Sequence, residues 1–312
     1  MGVCGKVAAV LTVGTWFALL LGFLGELAWQ FDLFANFRVQ YLGIFALCVI
    51  ASTLARRRAV ALVALLGVAL TTASMAQYFA ASKQAETTLT AQFRLMTFNA
   101  WFRNEDWAAV ARYLENSDAD AIVLQEVSEL QAQELAANMP SYPHRTVAAD
   151  PMHSVVVFSR MPLLEVTAEG LAGGLTRASR VSLAWQGQRI TILGTHLHWP
   201  LGSSNAAARN AELQHLSELA RHEAGPLLLA GDFNLTSWSR YFATFVSASG
   251  LNECALGQGL LATWPAQLRP ARIRIDHCFA SAHWRVRRVS IGPSVGSDHL
   301  PLIADLELAS AP

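Results

Sequence analysis

Charge is scarce in this chain, and lysine is scarcer still. Charged residues make up 15% of the 312 positions and hydrophobic residues 53%. That balance excludes an ordinary water-soluble surface over the whole length and reads as partly membrane-embedded. The formal net charge is +0, so there is no global pull toward nucleic acid or anionic lipid. From residue 92 onward lysine is absent, and 17 arginines face 20 acidic residues, a balance of −3. A nucleic-acid enzyme usually presents a basic face, so the balance argues mildly against a polyanionic partner. Cysteine is sparse too. The four cysteines show no metal-type spacing. Cys4 and Cys48 belong to apolar stretches; for Cys254 and Cys278 two free thiols and a disulfide both stay open. Also missing are a Gly-x-Ser-x-Gly elbow, a cysteine in a nucleophile setting and His-Glu-x-x-His, which removes the common covalent hydrolases and zinc peptidases.

What is present divides in two. Three apolar stretches cover about 7–28, 39–55 and 59–80. The first would be roughly 33 Å long as a helix, enough for a hydrocarbon core of about 30 Å. A signal peptide is the rival reading of that stretch, but its length and the two stretches that follow favour an anchor. Trp29 and Tyr41 suit the interfacial zones, and Glu26 reads as interfacial. Lys6 and the three arginines 56–58 belong on one side, which the positive-inside rule makes the cytoplasm. Three crossings then leave the remainder outside it, periplasmic in a bacterium. We therefore divide the chain into an anchor of about three transmembrane helices (1–81), a polar linker (82–91) and a catalytic domain (92–312). With no paired intramembrane charges, the spans read as an anchor only.

In the domain, apolar strands are expected over 93–98, 121–124, 153–159, 178–184, 189–194, 226–230, 272–280, 284–291 and after Pro301. Helices are expected near 105–116, 128–138, 205–221 and 237–249. Consecutive strands between 153 and 196 imply antiparallel pairs, so the class is α/β with mixed sheets rather than a strictly alternating fold.

Polar groups gather where these strands end. Leu229-Ala230-Gly231-Asp232-Phe233-Asn234 delivers a carboxylate and a carboxamide, which an extended backbone would point the same way. Asn99, Glu126, His196, Asp276 and Ser297-Asp298-His299 stand at the other ends. Taken singly each is a turn or cap residue; six clusters of this kind point to an active site. Glu126, after four apolar residues, calls for a partner such as a hard divalent cation. Asn99 is a neutral oxygen donor able to ligate metal, hold a water or cap a turn. Asp232 suits the orientation or deprotonation of a water, and Asn234 can donate to a phosphoryl oxygen. His196 can donate to substrate, and His198 reads as a pocket-edge residue. Adjacent strand residues face opposite ways, so Asp276 is expected to support His299 rather than His277, holding its tautomer and raising its pKa. Trp199, Pro200 and Leu201 read as a packed loop rather than an apolar lip.

The ordered motifs Thr97-Phe98-Asn99, Leu124-Gln125-Glu126, Gly194-Thr195-His196-Leu197, Gly231-Asp232-Phe233-Asn234, Arg274-Ile275-Asp276-His277 and Ser297-Asp298-His299-Leu300-Pro301 resemble the endonuclease/exonuclease/phosphatase superfamily over about 92–310. The resemblance implies a four-layer α/β sandwich with two mixed β-sheets and a Mg²⁺-dependent (or Mn²⁺-dependent) phosphoesterase site. It implies Glu126 as metal ligand, helped by Asn99 and Asp298, and Asp232 positioning the water. Asn234, His196 and His299 would contact phosphate, with Asp276 orienting His299. Trp101 stands where many DNA-repair members carry an aspartate, which weakens a repair-nuclease reading. Expected substrates are phosphate esters of lipid headgroups, nucleic acid, or inositol and sugar phosphates, with the lipid bilayer as the other partner. A non-catalytic binding module on the same fold is the alternative from another class.

Overall fold

The computed structural model describes residues 2–80, 92–147, 154–170 and 176–309; the expected linker 82–91 and the start of the strand expected at 153 lie outside them. The N-terminal part folds as α1 (Val3–Phe23), α2 (Trp29–Ala35), α3 (Arg38–Leu54) and α4 (Arg58–Met75), closed by a 3-10 turn over Ala76–Tyr78. Two of the helices, Val3–Phe23 and Arg58–Tyr78, are each long and apolar enough to cross a membrane. The middle stretch qualifies only as α2 and α3 together, and that pair is bent by 62°. α2 is thus a separate helix that the apolar pattern did not announce. It folds back on the end of α1 because Gly22 and Gly25 leave room: a Cβ at Gly22 would lie 2.9 Å from Ala35 N, and one at Gly25 3.0 Å from the Asp32 Cα. Outward faces carry exposed Val3, Val10, Val13, Leu47, Leu54 and Leu62. Gly5 lies against the Arg57 side chain, so the start of α1 and the α3–α4 turn share one end of the bundle.

The rest runs β1 (Phe93–Asn99), α5 (Trp107–Glu115), β2 (Ala121–Gln125), α6 (Glu129–Asn138), β3 (His144–Arg145), β4 (Val155–Ser159), β5 (Leu163–Gly170), β6 (Thr176–Trp185), β7 (Gln188–His196), α7 (Ser203–His222), β8 (Leu227–Asp232), α8 (Arg240–Ser249), β9 (Asn252–Glu253), β10 (Asp276–Ala280), β11 (Trp284–Ile291) and β12 (Leu302–Leu308). One sheet is ordered β11-β12-β1-β2-β4-β3 and the other β5-β6-β7-β8-β10-β9. β1 with β2 and β7 with β8 are parallel, while their outer neighbours pair antiparallel.

Strand alternation builds the layers. Leu95, Val123, Val157, Ile192, Leu228 and Ala230 meet between the sheets. Met96, Phe98, Ile122 and Leu124 face Val110, Leu114 and Leu135 of α5 and α6. Leu193, Leu227, Leu229 and Phe279 face Leu213, Leu216 and Phe245 of α7 and α8. The result is a helix–sheet–sheet–helix sandwich. The central strands are apolar on both faces because both faces are covered, so they read as continuous apolar runs. The segment 272–275, expected as strand, has no ladder of its own: Ile273 forms an isolated bridge with Trp264, and Ile275 O accepts from Phe233 N at 2.9 Å. α8 starts at Arg240 rather than near 237, where the Ser239 side chain caps it by accepting from Tyr241 N.

Candidate active site

The parallel pairs decide where the polar groups go. β1 ends at Asn99 and β7 at His196. β8 ends at Asp232, in register with His196 on one side and with Asp276, the first residue of β10, on the other. One edge of the sandwich therefore collects side chains from both sheets. Gly231 makes the closest approach possible: a Cβ there would lie 1.9 Å from Thr195 O, and its φ is +155°. Glu126 has φ 58° and Asn234 φ 51°, so the chain leaves β2 and β8 sharply at this edge.

The carboxamide of Asn99 joins the two sheets. Its Nδ2 donates to Glu126 Oε1 at 2.9 Å and to Asp232 Oδ2 at 3.1 Å, while its Oδ1 accepts from Trp101 N at 3.0 Å. Glu126 Oε2 accepts from Phe102 N at 3.2 Å. His196 Nε2 lies 3.8 Å from both Glu126 Oε1 and Asp232 Oδ2. His299 Nε2 approaches Asp232 Oδ2 at 3.7 Å, and its Nδ1 sits 2.9 Å from Asp276 Oδ2. The loop bearing His299 is pinned by Ser297, whose Oγ donates to Asn99 O at 2.7 Å and accepts from His299 N at 3.0 Å. His277 faces the other way, with Nε2 3.0 Å from Leu235 O and its ring against Phe242.

Two candidates sit differently from the simple strand picture. Asn234 does not extend alongside Asp232. The left-handed turn brings its N–H to Asp232 Oδ1 at 2.8 Å, and its Nδ2 donates to Leu197 O at 2.9 Å. Asp298 stands at the rim, with Oδ2 accepting from Trp264 Nε1 at 3.0 Å. The Trp199 loop also differs from expectation: Trp199 is 59% and Leu201 51% exposed, so it is not a packed loop. Sequence reasoning did not find Glu212 of α7, fully buried, which accepts from His198 N at 2.9 Å and lies 2.7 Å from its Nδ1. Its only signal was a charged residue beside Leu213 on a helix assumed to be polar outside.

Burial and charge set the titration of the cluster. Burial raises the Asp232 pKa from 3.8 to about 7, opposed by His299 and reinforced by Asp276. For His299 burial favours the neutral ring, but the Asp276 and Asp232 carboxylates overcome it and raise its pKa to about 10. His299 is therefore an imidazolium at neutral pH. Donor atoms of Asp232, Asp276 and His299 fall within 4.8 Å of one another, the spacing of a metal site. A protonated His299 bonded to Asp276 offers a cation no lone pair, however, so these three read as an internally paired acid–imidazole array. Oδ1 of Asp276 and of Asp298 are buried without a hydrogen-bond partner. Four carboxylates share this edge, Asp232 and Asp276 buried and Glu126 and Asp298 partly exposed, and that excess of acid groups over the one His299 cation fits a divalent cation.

A sandwich with such a carboxylate–amide–imidazole edge is that of a phosphate-ester hydrolase. The profile of the endonuclease/exonuclease/phosphatase family matches residues 96–299, about two thirds of the chain, and the chain belongs to that family. Its members commonly use divalent metal ions. A search of curated protein sequences finds no significant match. Among solved structures, an endonuclease/exonuclease/phosphatase from Beutenbergia cavernae is 21% identical with a TM-score of 0.58, covering 72% of this chain and 73% of its own. TDP2 from D. rerio, complexed with single-strand DNA product, is 17% identical with a TM-score of 0.60 over 70% of this chain and 100% of its own. Sphingomyelinase C from Streptomyces griseocarneus is 19% identical with a TM-score of 0.52 over 69% and 99%. These likenesses establish the shared fold.

Proposed function

We propose that this chain is a membrane-anchored, Mg²⁺-dependent phosphoesterase whose site faces away from the cytoplasm. The observation that carries the chemistry is the Asn99-bridged pair Glu126 and Asp232, flanked by His196 and by the His299–Asp276 pair. Glu126, with Asn99 and Asp298, would hold the cation. When bound, Mg²⁺ supplies Lewis-acid stabilisation of charge on a phosphoryl oxygen. Asp232, with its pKa near 7, takes the proton of a water attacking phosphorus. The imidazolium of His299, oriented by Asp276, donates to a phosphoryl oxygen as its negative charge grows. Asn234 spends one Nδ2 proton on Leu197 O and keeps the other for the scissile group. His196, beside both carboxylates, donates to substrate oxygen.

Anchoring and orientation rest on the bundle. The basic end, with Gly5 against Arg57, lies opposite the end where α2 and the close of α4 touch the catalytic domain: Asp32 meets Arg209, and Gly257 N donates to Gln77 O at 3.1 Å. Three crossings, the middle one bent, satisfy the positive-inside rule with the domain outside. The exposed Trp199 and Leu201 beside His198 favour a substrate with an apolar portion, such as a lipid headgroup ester, over nucleic acid.

A substrate panel on the full chain in detergent tests this: plasmid DNA, RNA, phospholipids including sphingomyelin, and inositol phosphates, with Mg²⁺ and with EDTA. The expected result is EDTA-sensitive hydrolysis of lipid phosphodiesters. Cleavage confined to nucleic acid would make it an outward-facing nuclease, and silence across the panel would favour a binding module. A reporter fused after Pro312 should be active only outside the cytoplasm.

A further inference from the structure

The helical part does more than touch the domain; it holds the loop that leaves the active site. That loop begins at Asp232 and ends at Ser239, the cap of α8. Asn36 Oδ1 accepts from Thr236 Oγ1 at 2.9 Å and from Thr236 N at 3.3 Å. Asp32 Oδ1 accepts from Ser239 Oγ at 2.6 Å, and its Oδ2 accepts from Arg209 Nη2 of α7 at 2.9 Å. The Asp32 and Arg209 side chains are 3% and 1% exposed. Arg209 lies three residues from Glu212, the partner of His198, so the two share a face of α7. Asp32 thus ties together both elements that leave the site, the His196–His198 turn through α7 and the Asp232–Asn234 turn through the α8 cap. Gln40 extends the grip, with Nε2 3.1 Å from Pro270 O and from Arg272 O.

A tether requires none of this. Burying a carboxylate and a guanidinium at the junction is costly unless they are well paired, and a mere anchor would be served by any exposed linker. Asn234, two residues from Thr236, reaches Leu197 O only while the loop keeps its left-handed turn. Resting on the phosphoesterase reading above, we infer that Asp32 and Asn36 are positioning residues: the α1–α3 segment sets the Asp232–Asn234 loop, and turnover depends on its docking.

The test uses the full chain in lipid nanodiscs and compares wild type, Asn36→Ala, Asn36→Asp, Asp32→Asn and, as a control on the exposed face of α2, Gln30→Ala. Turnover is read on bis(p-nitrophenyl) phosphate with Mg²⁺, and hydrogen–deuterium exchange is read over 233–239. Misplacing catalytic groups by about 1 Å lowers rates on the order of tenfold to a hundredfold. Asn36→Ala should therefore lose kcat by about tenfold or more with KM within about twofold, alongside faster exchange in the loop. Asn36→Asp keeps the acceptor and should restore both, and Gln30→Ala should match wild type. Asp32→Asn should show the larger loss; if it fails to fold, the Asn36 pair decides. Wild-type kcat in Asn36→Ala, or unchanged loop exchange, overturns the inference. If even the wild-type chain fails to turn over the ester, the phosphoesterase reading falls, while the exchange data still decide whether the segment holds the loop.

Discussion

Replacing Asp276 by asparagine should turn His299 from a fixed cation into a group that titrates within the working range. In the native chain burial works to lower the His299 pKa, and Asp276 at 2.9 Å from Nδ1, with Asp232 at 3.7 Å from Nε2, lifts it to about 10. Moving an imidazole from 6.5 to about 10 corresponds to about 5 kcal/mol in favour of the charged ring. Asp276 is the foremost raising group, and a hydrogen bond between charged partners contributes about 3 kcal/mol, equivalent to two pH units. Because the folded pKa is raised, the stabilisation is complete below about 6.5 and is lost as pH climbs through about 10. In Asp276→Asn that loss should come near pH 8. The assay is kcat/KM on bis(p-nitrophenyl) phosphate between pH 6 and 10.5, with full chain in detergent and saturating Mg²⁺. The variant should be about tenfold slower than wild type at pH 9, the deficit narrowing toward pH 7. An alkaline limb that stays in place in the variant would show that Asp276 does not set the charge of His299, and the assigned roles of both would fall.

Three further outcomes follow from the same geometry. Asp232→Asn should lower kcat by at least about a hundredfold. In EDTA it should also flatten the pH dependence of stability, because a carboxyl raised from 3.8 to about 7 contributes stability below about pH 4 that is lost as pH rises through 7, worth about 4 kcal/mol in all; thermal melts at pH 5 and pH 8 read about 3 kcal/mol of it. Gly231→Ala puts a methyl 1.9 Å from Thr195 O and should cost about 3 kcal/mol, seen as a lower urea midpoint. The Cys254 and Cys278 sulfurs lie 2.8 Å apart, Cys254 just past the end of β9 and Cys278 on the neighbouring β10, with Cys254 N donating to Cys278 O at 2.9 Å. In chain taken from membranes under non-reducing conditions, peptides carrying them should be found disulfide-linked, whereas four titratable thiols would count against an outward-facing domain.

Much of the fold was legible because its signals are local. Apolar runs in β1, β2, β7 and β8 come from strands covered on both faces, and Gly231-Asp232-Phe233-Asn234 marks the exit from a buried strand. The mixed sheets could be read from consecutive strands around 153–196. One local element escaped, β5, which pairs antiparallel with β6; the other features that escaped have their cause far away in the chain. β9, two residues long, and the lone bridge at Ile273 exist only because a neighbour supplies partners. α2 looked like a loop between two spans, since its one acid is satisfied by Arg209, 177 residues later. Glu212 and Arg209 looked solvated on a polar helix and are buried instead.

The candidate site divides along the same line. From sequence alone came the residue types, their order and their placement at strand ends, because strand periodicity and motif spacing are properties of neighbouring residues. The resemblance carried by those motifs led to the family. The support of His299 by Asp276 was expected from strand alternation, but only the tertiary structure decided that Asn99 bridges Glu126 to Asp232, that Asn234 turns back to Leu197 O, and how far each group is buried. Hydrogen bonds and pKa values depend on through-space distance and burial, which no local pattern encodes. For the same reason the helical segment that reads in sequence as an anchor is found, in three dimensions, gripping the loop beyond Asp232.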